Sequence, residues 1–161
     1  MSVDLNLLYS QSAAGTAVAN TASETEVASY TIPANSLKAG NVLKFRAACF
    51  TTASNSTDTL LYKVYLGSTA IATLTAVDQA NGDVAIFDGE LNAYAQASST
   101  TVVSSVISND ADATGQAARA FAAATSSVDT TAAIVLSIKA TWSNASASNS
   151  CYCGQFNVWG A

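Results

Sequence analysis

Residues 59–66, TLLYKVYL, place Leu60, Tyr62, Val64 and Leu66 on one side and Leu61, Lys63 and Tyr65 on the other. Successive side chains of a strand point to opposite faces, so this period of two predicts a β-strand. The same period recurs along the chain. VLKFRAACF (42–50) turns Leu43, Phe45, Ala47 and Cys49 one way and Lys44 and Arg46 the other, as in an antiparallel strand solvated on one side. In TTAAIVLSIKATW (130–142), Ile134, Leu136, Ile138, Ala140 and Trp142 share a face opposite Ser137, Lys139 and Thr141. TEVASYTI (25–32) sets Val27 and Ser29 against Ala28, Tyr30 and Ile32. Further strands are predicted in TAIATLT (69–75), VAIFDGELNAYA (84–95), TTVVSSVI (100–107) and CYCGQFNVWGA (151–161).

The punctuation between these runs fits. Pro33 ends its strand because it has no N–H to give to a ladder. Ala34-Asn35-Ser36 and Ala39-Gly40-Asn41 are turn material. Gly67-Ser68 between two β-rich runs predicts a tight hairpin. Asp88-Gly89 reads as a glycine bulge inside a continuous strand, since a hairpin there would have very short arms. QAARAFAAAT (116–125) is ambiguous: alanine favours helix, but Phe121 is its only large apolar residue, and strand or irregular structure is expected. Residues 1–23 are small, polar and weakly patterned, and are read as an N-terminal arm that orders against a partner. Residues 24–161 form the domain. About eight strands with turn signals and no long helical stripe predict an all-β fold, a two-sheet antiparallel jelly-roll sandwich.

Composition narrows the partners. Of 161 residues, 50% are hydrophobic, which argues against disorder. Only 11% are charged, against roughly 25% in ordinary soluble domains. The exterior is therefore largely Ser, Thr, Asn and Ala, and covering it strips water from few ions. The six Lys and Arg are scattered and the net charge is −5, so neither nucleic acid nor an anionic membrane is expected as a partner. No apolar run approaches a bilayer span. The opening MSVDLNLLYSQSAAG lacks the basic start of a signal peptide, so a route other than secretion is expected.

Candidate chemistry is thin. With no histidine there is no Ser-His-Asp or Cys-His pair. Asp88 and Glu90 could serve as paired carboxylates on a sugar, but a solvated strand face is the reading preferred. Asp110, Asp112 and Thr114 have the 1, 3, 5 spacing of a calcium loop with Gly115 at position 6, yet position 12 is Phe121 rather than a carboxylate. An acidic surface loop is the alternative, and no metal or cofactor is assigned. Cys49, Cys151 and Cys153 make an odd set and are read as reduced thiols, with a Cys49 bond to one of the C-terminal pair as the minor alternative. Tyr62, Tyr65, Tyr94, Tyr152 and Trp159 could make a carbohydrate platform, but are read mostly as core or subunit contacts.

TIPAN followed by a turn and VLKFRA, then LYKVYLGSTAIATLT, VDTT leading into IVLSIKATWS, and SASNS before the last strand resemble the jelly-roll structural proteins of tailed bacteriophages. The similarity runs from about residue 25 to the C-terminus, and it rests on the order of the motifs. It implies no active site. It implies a homotrimer on the outer surface of the virion head, made in the bacterial cytoplasm and bound to the major capsid protein as a cement or decoration subunit. One compact domain without a fibrous stem fits cement better than fibre. The alternative is a fibre tip that binds host glycans through loops such as Thr51–Thr57 and Asn109–Gly115.

Overall fold

A computed structural model describes residues 6–55, 57–111 and 117–160. Among them there is no helix. Twelve strands form: β1 (Asn6–Ser10), β2 (Val18–Ala19), β3 (Thr25–Ile32), β4 (Val42–Ala53), β5 (Thr59–Leu66), β6 (Thr69–Thr73), β7 (Val77–Asp78), β8 (Val84–Ala93), β9 (Thr100–Ala111), β10 (Ala117–Val128), β11 (Ile134–Trp142) and β12 (Ser150–Gly160). They build two antiparallel sheets. The larger runs β1-β12-β4-β8-β9-β10, with β2 also on β12; the smaller runs β3-β11-β5-β6, with β7 also on β5. With β2, β7 and the β9–β10 hairpin set aside, the eight remaining strands read 1-8-3-6 and 2-7-4-5 across the two sheets, which is the jelly-roll order. The hairpin widens the first sheet.

The period-two faces meet between the sheets. Leu60, Tyr62, Val64 and Leu66 of β5, Leu136, Ile138, Ala140 and Trp142 of β11, and Leu43, Phe45, Ala47 and Cys49 of β4 are all buried. Alternating inward faces on two stacked sheets are what a sandwich core needs. Gly67 takes φ 61° in the two-residue link between β5 and β6, the backbone region that costs glycine least. β3 ends at Ile32, just before Pro33. β3 departs from simple alternation: its register against β11 passes from Ala28 to Glu26, so Val27 sits in a bulge and both it and Ala28 are buried. The alanine-rich segment is strand, paired residue for residue with β9 from Ala117–Ala111 to Val128–Thr100. Sheet context outweighs alanine's helix preference there.

Two features differ from the expectation. Gly89 makes no bulge: β4 and β8 pair without a shift from Val42–Asn92 to Phe50–Val84. Gly89 stands opposite Phe45, and a Cβ there would run into the Phe45 ring. The glycine makes room for an aromatic ring. The N-terminal segment is also docked on its own domain. β1 and β2 both pair with β12, and Gln11 and Gly15 donate backbone N–H to Phe156 O and Cys153 O, both at 2.8 Å. Tyr9 packs on Tyr30 and Phe156, with ring centroids at 5.5 and 5.9 Å. Buried Trp142 donates its indole N–H to Val18 O at 3.4 Å.

Candidate functional site: the outer face of the larger sheet

β4 sends Lys44 and Arg46 outward because its other face is core. β8 does the same with Asp88 and Glu90. The register sets Lys44 opposite Glu90 and Arg46 opposite Asp88, and each cation meets its carboxylate, at 3.5 and 3.7 Å. Asn92 Nδ2 also donates to Glu90 at 3.0 Å. The two carboxylates singled out from sequence therefore do share a face, and each has a cation beside it. Lys44, Arg46, Asp88, Glu90, Ser105, Ile107 and Trp159 surround an open groove of about 620 Å³ whose floor is Phe45 and Gly89.

Pairing across the sheet orders this face in two rows. One reads Leu7, Trp159, Lys44, Glu90, Ser105, Ala123, and the next Ser10, Asn157, Arg46, Asp88, Ile107, Phe121. Charge lies in the middle and apolar groups lie at both flanks. Leu7 is 57% exposed, Ile107 52% and Phe121 68%. Exposed pairs of this kind contribute little stability, but they neutralise the centre of the face. Sequence reading found the charges and Trp159 and missed Leu7, Ile107 and Phe121. Leu7 belonged to the presumed arm and Phe121 to the ambiguous segment.

The other candidates fall apart or fall elsewhere. Tyr62 is core, Tyr152 stacks on Phe50 at 5.6 Å, and Tyr94 is exposed. The hydroxyl of Tyr65 donates to Glu24 at 2.9 Å on the smaller sheet. They make no common platform. Glu24 there also meets Lys63 at 2.9 Å and Lys139 at 3.6 Å. The Lys63 hydrogen bond, foremost among these contacts, holds Glu24 below the usual carboxylate range. Asp112 and Thr114 lie outside the described residues, as does the side chain of Asp110, whose backbone belongs to β9. Among the described residues no cluster of His, Cys, Asp or Glu could hold a metal ion. Cys49, Cys151 and Cys153 are buried and form no disulfide.

The loops after β4 and before β12 lie at one end of the sandwich and bond to each other. Buried Asp58 accepts from Asn144 at 2.6 Å and Asn149 at 2.8 Å. Asn149 Oδ1 in turn accepts the Asn55 N–H at 2.9 Å. These hydrogen bonds, Asn144's first, keep Asp58 below the usual carboxylate range. No protein-family profile, curated protein or solved structure matches this chain.

Proposed function

We propose that the protein is a structural subunit of a tailed-phage virion that coats the outer head shell as a homotrimer and cements the capsid protein beneath it. The observation that carries this reading is the outer face of the larger sheet. Its four central ions, Lys44, Arg46, Asp88 and Glu90, are matched in pairs and its flanks expose Leu7, Ile107 and Phe121. Covering the flanks gains from apolar burial, and the paired ions at the centre cost less to cover than four unpaired ones would. The low-charge exterior and the resemblance of the strand motifs support the same reading. Cementing needs no chemistry. A subunit that binds only the assembled lattice stabilises it by mass action, about 2.7 kcal/mol per site at a hundred times the dissociation constant.

The test is rebinding. Purified protein added to expanded heads that lack it is expected to pellet with them, at hundreds of copies per head, and to raise their heat resistance. Protein that stays in the supernatant, or is present at only a few copies per virion, overturns the reading. Glycan binding by a fibre tip is the second reading. It would use the loop end that buried Asp58 and Asn149 brace from within.

A further inference from the structure

We infer that Cys49 and Cys153 are a disulfide-forming pair, the site at which a small-molecule disulfide oxidises the folding chain and staples β4 to β12. The inference goes beyond the reading above and holds whether or not the protein coats a capsid.

The register places the two residues directly opposite each other on antiparallel strands. Opposed residues of such a ladder have Cα atoms about 4.5 or 5.5 Å apart, and a disulfide spans about 4.4–6.8 Å. Both side chains are fully buried in the core, so they leave the larger sheet on the same face. Cys153 Sγ lies 3.1 Å from Gln155 O and 3.7 Å from Ala48 O. The second contact turns it toward β4, and a side-chain hydrogen bond joins it to Cys49. Immediately after Cys153, β12 skips Gly154 in its pairing with β4. A bulge of this kind bends and twists the strand locally, so the bridge can close without drawing the strands together.

The same register sets Cys151 apart. It stands opposite Thr51, which leaves it diagonal to Cys49 at about 7–8 Å, beyond the reach of an unstrained bridge. Its thiol is turned instead to Tyr62 and Trp142. Cys151 and Cys153 are two apart on one strand, so their side chains project side by side and not toward each other. Of the three possible pairings only Cys49 with Cys153 fits the sheet.

Oxidation needs an acceptor of two electrons, and a small disulfide such as glutathione disulfide is one. A protein thiolate attacks it, forming a mixed disulfide and releasing one glutathione. The second protein thiolate attacks the protein sulfur of that bond and releases the other. The protein loses two protons and two electrons, and one glutathione disulfide becomes two glutathiones. The native core shuts both sulfurs away from such a reagent, so closure belongs to the chain as it folds. A chain that folds among oxidants is stapled, and one that folds among reductants keeps the dithiol. The bond encloses residues 50–152, a loop on the order of a hundred residues, and so restricts the unfolded chain strongly. It also fixes the strand on which β1 and β2 pair.

The experiment refolds the denatured, reduced full-length protein in a mixture of reduced and oxidised glutathione. The product is then denatured in acid, labelled with a maleimide and digested. The expected product is two hydrogens lighter, carries one maleimide, on Cys151, and yields fragments joined from Cys49 to Cys153. Its melting temperature is expected to exceed that of the reduced protein by about 5–10 °C. Cys151→Ala is expected to oxidise as completely as the unaltered chain. Thiols that serve only as small core groups would take up three maleimides. That result, a bond involving Cys151, a lasting glutathione adduct, or a stapled protein that melts no higher than the reduced one would overturn the inference.

Discussion

Phe45 lies across the backbone of Gly89 on the neighbouring strand, filling the space where a side chain would begin. The contact joins β4 to β8 at the middle of the larger sheet, directly beneath the paired charges. A methyl group at Gly89 has nowhere to go unless the ring moves. Gly89→Ala is expected to destabilise the fold by about 1–3 kcal/mol, the usual range for overpacking. Adding Phe45→Leu should recover part of that loss. Urea unfolding of the three variants measures it, and a neutral Gly89→Ala would mean that the ring does not sit there.

Trp142 is the largest fully buried side chain, and it also anchors the N-terminal segment through Val18. Trp142→Ala is expected to cost about 3–5 kcal/mol. Trp142→Phe keeps much of the packing and removes the indole donor. Its particular signature is faster amide exchange at residues 18–19 than at β5 or β11. Uniform acceleration everywhere would count against the anchoring role.

Acid should weaken the protein. Glu24 and Asp58 are both held below their ordinary values of 4.5 and 3.8, Glu24 chiefly by Lys63 and Asp58 chiefly by Asn144. A carboxyl whose folded value is depressed contributes stability above its unfolded value and loses it as pH falls through the folded one. The melting temperature is therefore expected to be steady near neutrality and to decline below about pH 4. Asp58→Asn should flatten part of the decline. Lys63, raised above 10.5 mainly by Glu24, has the opposite sign and loses its contribution only in strong alkali. A melting temperature level down to pH 2.5 would refute the assignment.

The thiols should be silent until the core opens. Burial pushes Cys151 up to about 11, a hydrogen bond with Cys49 holds Cys153 below the ordinary thiol range, and all three are buried without a disulfide, out of a reagent's reach. Thiolate is the reactive form. A thiol reagent is expected to label none of them in the native protein and all three in denaturant, with the same intact mass before and after reduction. A mass two hydrogens lighter before reduction would reveal a disulfide.

Strands with a single buried face were legible from sequence. In β5 and β11 the alternation alone separates core from exterior, and Gly67 and Pro33 mark their ends through backbone restrictions local to each residue. What escaped depended on partners distant in sequence. Gly89 looks like a bulge until Phe45 is known to stand opposite. The docking of residues 6–19 uses mostly backbone hydrogen bonds to β12, helped by Tyr9, buried Val18 and the Trp142 indole, and main-chain pairing leaves little trace in side-chain pattern. The site was half visible for the same reason. Lys44, Arg46, Asp88 and Glu90 were evident as charges, but their matching is a property of register, and the apolar flanks come from the two edges of a sheet whose strand order spans the chain.

The ladder between β1 and β12 sets Asn6 against Gly160. Near-terminal positions are thus neighbours, although almost the whole polypeptide separates them. A short peptide linker could span that gap, and the surface link at Gly67-Ser68 could supply new ends. The rewired chain would keep every rung of both sheets, and cargo fused at the new ends would leave from the β5–β6 turn instead of from the corner that β1 and β12 share.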